Sequence, residues 1–186
     1  MPAYEYFHVA GFGETSLVGN VYFSAYLEWQ GECREHFLAE HAREVLGPLS
    51  RREVAFFTKS CTCEWNGGPG FEGLDRVLVR MRLAGLRGGR MSLEFTYSHA
   101  ERPDEVVATG TQEVHCKARS NPSAESPRSP QSDAEWVPRP FPPALLRALL
   151  AFADTEELRC DLRDALEFQL GVGDGLGSGP GACQGS

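Results

Sequence analysis

The sequence predicts an α+β domain in which an antiparallel sheet wraps around one long central helix and is followed by a C-terminal helical extension. Three observations lead to this fold class. One long helical pattern lies near the N-terminus, four segments with a two-residue period follow it, and two shorter helical patterns occupy residues 141–152 and 156–170. A series of strands packs one face on a helix because that face must bury its apolar side chains.

The first strand and the long helix come first in the chain. Residues 4–12 are rich in aromatic and β-branched types and end at glycines, which is typical of a strand that runs into a turn. From Phe23 onward, apolar residues recur at three- and four-residue steps as far as Leu46, where Gly47 and Pro48 predict the end of the helix. This pattern predicts one helix of about five to seven turns.

Four more strands are predicted by the alternation of apolar and polar side chains. Met91, Leu93 and Phe95, for example, alternate with Ser92 and Glu94. The four segments are residues 54–65, 77–83, 91–97 and 106–118. The connections between them are rich in glycine, asparagine and proline, which favours hairpins.

Composition divides the chain into four parts. Residues 1–119 form the predicted sheet-and-helix domain, and residues 120–140 are dominated by serine, proline and charge, as is typical of a flexible linker. Residues 141–170 form the helical extension. We expect the glycine-rich residues 171–186 to be a disordered tail.

The overall composition limits the classes of function. A chain of 186 residues with 41% hydrophobic residues can bury one ordinary core. Its net charge of −8 provides no overall basic field for nucleic acid or an anionic membrane. No window approaches the run of about 18 apolar residues that a membrane helix needs, and no secretion signal is visible. We therefore expect a soluble cytoplasmic protein whose six cysteines are reduced.

Two local groups of residues require separate interpretation. Cys61 and Cys63 with His115 and Cys116 could indicate a metal site, but His115 and Cys116 point to opposite faces of their strand, so we expect no metal. A basic group lies on and beside one predicted strand and is either solvated or docks an acidic acyl carrier protein or the phosphates of coenzyme A. Its members are Arg76, Arg80, Arg82, Arg87 and Arg90.

The most specific pattern lies where the chain enters the long helix. The segment from Glu14 is ETSLVGNVYF, and Tyr26, Leu27, Trp29 and Arg34 follow. This run resembles the pattern D-x-D-x-x-G-x-V-x-[YF]-x-x-Y-L-x-x-[FW]-E-x-x-R of the 4-hydroxybenzoyl-CoA thioesterase-like group of the hotdog fold. The fuller version LVGNVYFxxYLxWQGxCRExFL is most similar to the thioesterases that accompany iterative enediyne polyketide synthases. The resemblance covers residues 4 to about 119.

The resemblance implies a thioesterase, but both carboxylate positions of the group are occupied by other residues. Ser16 stands where the best-known hotdog thioesterases have their acid, and Gly31 stands where other branches have a helical glutamate. In the enediyne branch the acid position is usually Asn, and catalysis depends on Tyr and Arg at the positions of Tyr26 and Arg34. The resemblance therefore implies hydrolysis without a catalytic carboxylate.

Backbone N–H groups at a helix start can stabilise the charge that develops on a thioester carbonyl. We therefore expect an oxyanion hole where the chain enters the helix, completed by the Asn20 or Ser16 side chain. The candidate catalytic residues are Arg34, Tyr26, Asn20 and Ser16, and the candidate substrate-binding residues are Gly19, Val21, Tyr22 and Trp29.

Each candidate also has a purely structural interpretation. Asn20 could cap the helix, Tyr26 could be a core aromatic and Ser16 a turn residue. Arg34 could be the ion-pair partner of Glu35 or another acid, or a solvated charge. Glu35 is itself a reserve candidate for activating water. Arg34 lies 14 residues after Asn20, about 20 Å along one helix, so the two cannot bind the same carbonyl within one subunit. Arg34 then either works in a site shared with a neighbouring subunit or binds another part of the ligand.

The expected function is release of a polyketide acyl chain, as a β-keto polyene, from the acyl carrier protein of an iterative polyketide synthase. A β-keto thioester is activated enough for attack by water without a carboxylate base. The resemblance implies a homo-oligomer, a dimer or tetramer, with no cofactor. A general acyl-CoA thioesterase and a non-catalytic acyl or carrier-protein binding module remain the alternatives.

Overall fold

A computed structural model describes residues 3–120 and 136–171 of the chain. The strands in this part are β1 (Tyr4–Val9), β2 (Val54–Trp65), β3 (Arg76–Arg87), β4 (Arg90–His99), β5 (Arg102–Arg119) and β6 (Trp136–Pro138). The α-helices are α1 (Phe23–His41), α2 (Leu46–Ser50), α3 (Pro143–Leu150) and α4 (Glu156–Leu170), and short 3₁₀ turns lie at Phe12–Glu14 and Arg43–Val45.

The strands form one antiparallel sheet in the order β1-β3-β4-β5-β2, and β6 pairs with the end of β5. The inward face of the sheet packs on α1, which buries Trp29, Cys33 and Phe37 against it. The predicted sheet around one long helix is confirmed. Strand β2 lies at an edge of the sheet.

Helix α1 ends at His41, five residues before the predicted end at Leu46. The chain continues through a 3₁₀ turn into the short helix α2, so apolar residues keep a helical spacing although the long helix has stopped. Pro48 lies in the first turn of α2, where its missing N–H costs nothing. The prediction that Gly47 and Pro48 end the helical run was therefore wrong.

The helical extension joins the same core as the sheet. Leu145 and Leu149 of α3 and Leu162 of α4 are buried in it. The Phe152 ring lies 5.3 Å from the ring of Phe37, so the extension contacts α1 directly. Helix α4 is capped by Thr155, whose side-chain oxygen accepts a hydrogen bond from the Leu158 N–H, as expected of an N-cap.

Part of the predicted linker has regular structure. Trp136–Pro138 forms β6, which pairs with residues 117–119 of β5. The rest of the predicted linker, residues 121–135, and the predicted tail beyond residue 171 lie outside the described residues. Within the described part, none of the helices has the length and apolar character needed to cross a bilayer.

Candidate active site

One side of α1 carries three polar side chains four residues apart. Tyr26, Gln30 and Arg34 follow one another along the helix face that looks toward β5 and β2. Gln30 is fully buried, and its Nε2 donates a 2.8 Å hydrogen bond to the carbonyl oxygen of Thr62 on β2. Arg34 reaches both strands.

We call Arg34, Gln112 and Thr58 the Arg34 cluster. Nη1 of Arg34 donates to Oε1 of Gln112 at 2.7 Å and to Oγ1 of Thr58 at 3.0 Å. Both Nη1 hydrogens are therefore used, while Nε and Nη2 have no hydrogen-bond partner within residues 3–120 and 136–171. Burial lowers the pKa of the Arg34 guanidinium from its usual value, and the charge of Glu35 opposes that change. An arginine still remains charged at neutral pH.

The structural interpretation of Arg34 as the partner of an acid does not hold in the described part of the chain. No carboxylate oxygen there lies within ion-pair distance of its guanidinium. Glu35 lines a different groove, with Tyr6, His8, Glu32, His36 and Ala39 beside β1. The predicted reserve role of Glu35 in activating water would therefore require a ligand on the other side of α1.

Close packing brings α1 to the sheet beside this cluster. A Cβ atom at Gly110 on β5 would lie 2.4 Å from Nε2 of Gln30 and 2.8 Å from the Thr62 carbonyl oxygen. Only glycine fits there without movement of the neighbouring atoms. The hydroxyl of Tyr97 on β4 donates to the carbonyl oxygen of Tyr26 at 2.9 Å and ties the same helix face to a third strand.

Tyr26 is a buried aromatic residue, as its structural interpretation predicted. Its ring centroid lies between 5.2 and 5.7 Å from those of Trp29, Tyr97 and Phe71. Burial raises the pKa of the Tyr26 phenol, and the backbone of Phe71 partly opposes this change. The phenol is therefore a proton donor at neutral pH. Its catalytic role stays a prediction.

The loop before α1 is a tight turn closed by its own backbone. Ser16 N–H donates to the Asn20 carbonyl at 2.8 Å, and Gly19 N–H donates to the Ser16 carbonyl at 2.9 Å. Gly19 has a φ of +90°, which favours glycine. Leu17 and Val18 project from the tip with 105% and 82% relative exposure. Ser16 thus acts as a turn residue, and its Oγ accepts a 3.4 Å contact from the Val18 N–H.

Helix α1 begins at Phe23, where the sequence predicts it, but its N-cap is not Asn20. The N-cap of α1 is Tyr22, and Asn20 lies two residues earlier in a β-bridge with Glu72. The interpretation of Asn20 as the N-cap was therefore wrong. Its side chain is exposed and has no hydrogen bond within the described residues.

Most backbone donors of this segment are already used. Val21 N–H donates to the Phe71 carbonyl at 2.9 Å, and Tyr22 N–H donates to the Glu14 carbonyl at 2.8 Å, so neither can bind an oxyanion. In the described part of the chain, the first amides of α1 without a backbone partner are those of Phe23 and Ser24. Any oxyanion hole at this helix start therefore begins at Phe23, the first residue of α1.

Trp29 belongs to a second polar group, which we call the Glu14 cluster: Glu14, His8, Gly11 and Trp29. Trp29 is fully buried, and its Nε1 donates to Oε1 of Glu14 at 2.7 Å. Gly11 N–H donates to Oε2 at 2.5 Å, and His8 Nε2 lies 3.1 Å from both carboxylate oxygens. Burial acts to raise the pKa of Glu14, but Gly11, His8 and Trp29 together lower it. In this chain Trp29 supports the fold, and its predicted contact with substrate stays a prediction.

Most of the basic group on β3 is neutralised within the chain. Arg76 pairs with Glu101 at 3.8 Å, Arg80 with Glu5 at 2.8 Å, and Arg82 with Asp154. Arg87 and Arg90 line a cavity of about 580 Å³ between the β3–β4 hairpin and α4, but acidic side chains line it too. This group is therefore less suited to bind an acidic partner than its sequence indicates.

Sequence reasoning missed Gln112 and Thr58. The available signal was the alternation of β5, in which Ala108, Gly110 and Val114 face inward, so Gln112 is a polar residue at an inward position. Such a residue requires a hydrogen-bond partner. The partner could not be identified because Arg34 is 78 residues away in sequence.

Several known structures that resemble this one are thioesterases. The chain is 38% identical to the dynemicin thioesterase, whose crystal structures describe induced-fit and allosteric effects on polyene binding; the match has a TM-score of 0.70 and covers 82% of this chain and 99% of that one. A 1,4-dihydroxy-2-naphthoyl-CoA thioesterase from Synechocystis is 19% identical, with a TM-score of 0.62 over 79% of this chain and 95% of that one. A gentisyl-coenzyme A thioesterase is 20% identical, with a TM-score of 0.59 over 78% and 98% of the two chains. Neither a family model nor a curated protein matches the sequence.

The sheet wrapped around α1 and the likeness to these structures define a hotdog-fold protein. Because it is 38% identical to the dynemicin enzyme over almost the whole of that chain, the protein belongs to the hotdog-fold thioesterases, in the 4-hydroxybenzoyl-CoA thioesterase-like group that includes the enediyne-associated enzymes. The predicted family and the predicted enzyme class, a hydrolase acting on thioesters, are confirmed.

Proposed function

We propose that this thioesterase hydrolyses a polyketide acyl thioester, a β-keto polyene, from an acyl carrier protein in enediyne-type natural-product biosynthesis. The observation that carries this proposal is the state of Arg34, a half-buried cation held by neutral groups, with Nε and Nη2 open among the described residues. A β-keto thioester forms an enolate and yields a β-keto carboxylate, both of which are anions that a guanidinium binds well. The polyene bound by the dynemicin thioesterase supports the same substrate class.

The proposed mechanism is attack by water on an activated carbonyl. The residues at the two carboxylate positions of the group are Ser16 and Gly31, so neither position supplies a carboxylate as base or nucleophile. The amides of Phe23 and Ser24 with the side chain of Asn20 would stabilise the oxyanion at the start of α1. Tyr26, protonated at neutral pH, would donate to the β-keto oxygen.

We propose that the site is shared between subunits of a homo-oligomer, a dimer or tetramer. The Phe23 amide and Arg34 are about 16 Å apart along α1 by the rise of a helix, so one thioester carbonyl cannot reach both within a subunit. Thr58, which holds Arg34, lies on the edge strand β2, where a second chain can approach. The exposed side chains of Leu17, Val18 and Phe23 would be covered by the same neighbour.

The test compares three substrates with the purified enzyme: a β-keto acyl carrier protein, the matching saturated acyl carrier protein and the matching β-keto acyl-CoA. Release of free thiol is followed by a thiol reagent and the acid by mass spectrometry. The β-keto acyl carrier protein should be hydrolysed fastest. Equal rates with the coenzyme A thioester would favour a general acyl-CoA thioesterase. Binding of the carrier protein with no thiol release above buffer would indicate a non-catalytic module.

A further inference from the structure

We propose that Gln112 is a positioning residue that fixes the Arg34 guanidinium without neutralising its charge. This inference rests on the proposed function, because it assigns Arg34 to the binding of an anionic oxygen of the substrate or product. Gln112 lies on the inward face of β5, opposite Leu93 of β4 and Cys61 of β2, and only 5% of its surface is exposed.

The geometry holds one end of the guanidinium and leaves the other end open. Gln112 Oε1 and Thr58 Oγ1 accept from the same nitrogen, Nη1, at 2.7 and 3.0 Å. Two acceptors on one NH₂ group fix the plane of the guanidinium, since its five N–H donors form a rigid fork. Nε and Nη2 then present a pair of donors in a fixed direction, the arrangement that binds a carboxylate or enolate.

Both acceptors are uncharged, which distinguishes Arg34 from several other arginines of the chain. Arg80, Arg82 and Arg51 are each paired with a carboxylate in this chain. A carboxylate in place of the Gln112 amide would also accept from Nη1, but it would compete with any anionic ligand for the positive charge. In a half-buried site this competition is stronger than in water, because the effective dielectric constant is lower. An amide therefore satisfies Nη1 and keeps the charge available.

The test uses Gln112→Met, which removes the acceptor at similar side-chain length, and Gln112→Glu, which keeps an acceptor but adds a negative charge. The matched control is Thr111→Val, the neighbouring residue on the outward face, which contacts Thr62 Oγ1 at 2.7 Å and does not contact Arg34. Each variant is made in the native chain and in the Arg34→Ala chain. The measurements are kcat and KM with a β-keto acyl thioester, the inhibition constant of a medium-chain fatty carboxylate, and the melting temperature.

Gln112→Met should lower kcat/KM about 10-fold, which is the effect of one lost hydrogen bond to a charged group. Gln112→Glu should lower kcat/KM about 10- to 100-fold and weaken inhibition by the fatty carboxylate by a similar factor. Its melting temperature should nevertheless be no lower than that of Gln112→Met. Thr111→Val should stay within about 2-fold of the native enzyme, as expected for a surface change. In the Arg34→Ala chain, the Gln112 variants should cause no further loss.

Three results would overturn the inference. In the first, Gln112→Glu loses no more of kcat/KM than Thr111→Val does, while Arg34→Ala is strongly impaired. The proposed function would then stand, but Gln112 would have no part in it. Full additivity of the Gln112 and Arg34 changes in kcat/KM would mean that Gln112 acts independently of Arg34. A native rate in Arg34→Ala would instead overturn the role of Arg34 in the proposed function, and the positioning role of Gln112 with it.

Discussion

The Glu14 cluster and the Arg34 cluster lie on different sides of α1 and satisfy their charges to different degrees. Both oxygens of the Glu14 carboxylate accept hydrogen bonds from Gly11, His8 or Trp29. Arg34 uses one of its three nitrogens within the described residues. A charge that is fully satisfied inside the chain supports the fold, whereas a charge held at one end retains the capacity to bind a ligand.

The helix itself separates the two clusters. Trp29 and Arg34 are five residues apart, which at 100° per residue turns their side chains about 140° away from each other. One therefore faces β1 and the loop before α1, and the other faces β5 and β2. A change in one cluster should leave the other largely intact, so mutations can test the comparison independently.

The largest expected effect is on catalysis at the Arg34 cluster. Arg34→Ala should lower kcat/KM about 100- to 1,000-fold, because it removes a preorganised donor to a developing anion. The free energy of unfolding should change by only about 1 kcal/mol, because only two neutral acceptors lose a partner. Steady-state kinetics and urea unfolding measure the two quantities. Arg163→Ala, an exposed arginine on α4, is the control, and a loss of stability without a loss of rate would contradict the comparison.

Mutations in the Glu14 cluster should mainly change the stability of the fold. Glu14→Gln should lower the free energy of unfolding by about 2–3 kcal/mol, because it disturbs a partly buried carboxylate that accepts from several donors. The exposed Glu167→Gln is the control. The folded-state pKa of Glu14 is lowered, so the ionised carboxylate stabilises the fold above its unfolded pKa of about 4.3, and this contribution is lost as pH falls through the folded pKa.

The difference in stability between native enzyme and Glu14→Gln should therefore be greatest near neutral pH and shrink below about pH 4. Urea unfolding at a series of pH values measures it. A difference that stays constant down to pH 3 would mean that the charge of the Glu14 carboxylate contributes nothing to the free energy of unfolding.

A smaller effect on stability is expected where α1 approaches the sheet beside the Arg34 cluster. Gly110→Ala should lower the free energy of unfolding by about 1–3 kcal/mol, because the new Cβ would overlap the Gln30 amide and the Thr62 carbonyl. Gly85→Ala on β3 is a matched control, since a Cβ there meets its nearest neighbour at 4.0 Å. In the double variant with Gln30→Ala, the two losses should be less than additive, and simple additivity would show that Gln30 does not set this spacing.

The smallest effect is expected at Gly31 on α1. A Cβ atom there has no neighbour within 4 Å, so Gly31→Ala should raise the free energy of unfolding by about 0.5–1 kcal/mol through helix propensity. Thermal unfolding at several protein concentrations provides the measurement. A decrease in stability that depends on protein concentration would indicate that a neighbouring subunit packs on this position.

Several elements could be predicted from the sequence because their signals are local. Strand β2 and helix α4 begin and end at the predicted residues, since alternation and helical spacing both depend on near neighbours. The end of α1 was wrong by five residues because the 3₁₀ turn at Arg43–Val45 continues the apolar spacing. The sequence could not show that the carbonyls of Phe71 and Glu14 accept from the Val21 and Tyr22 N–H groups just before the helix.

The sequence by itself determined the fold class, the helix that carries the candidate residues, and the loss of both carboxylates at Ser16 and Gly31. Periodicity and residue identity carry that information without any knowledge of distant contacts. Only the tertiary structure decided which polar groups are satisfied. Gln112 meets Arg34, and Trp29 meets Glu14, through the packing of strands on α1, and whether a charge is fully paired or partly open depends on these long-range contacts.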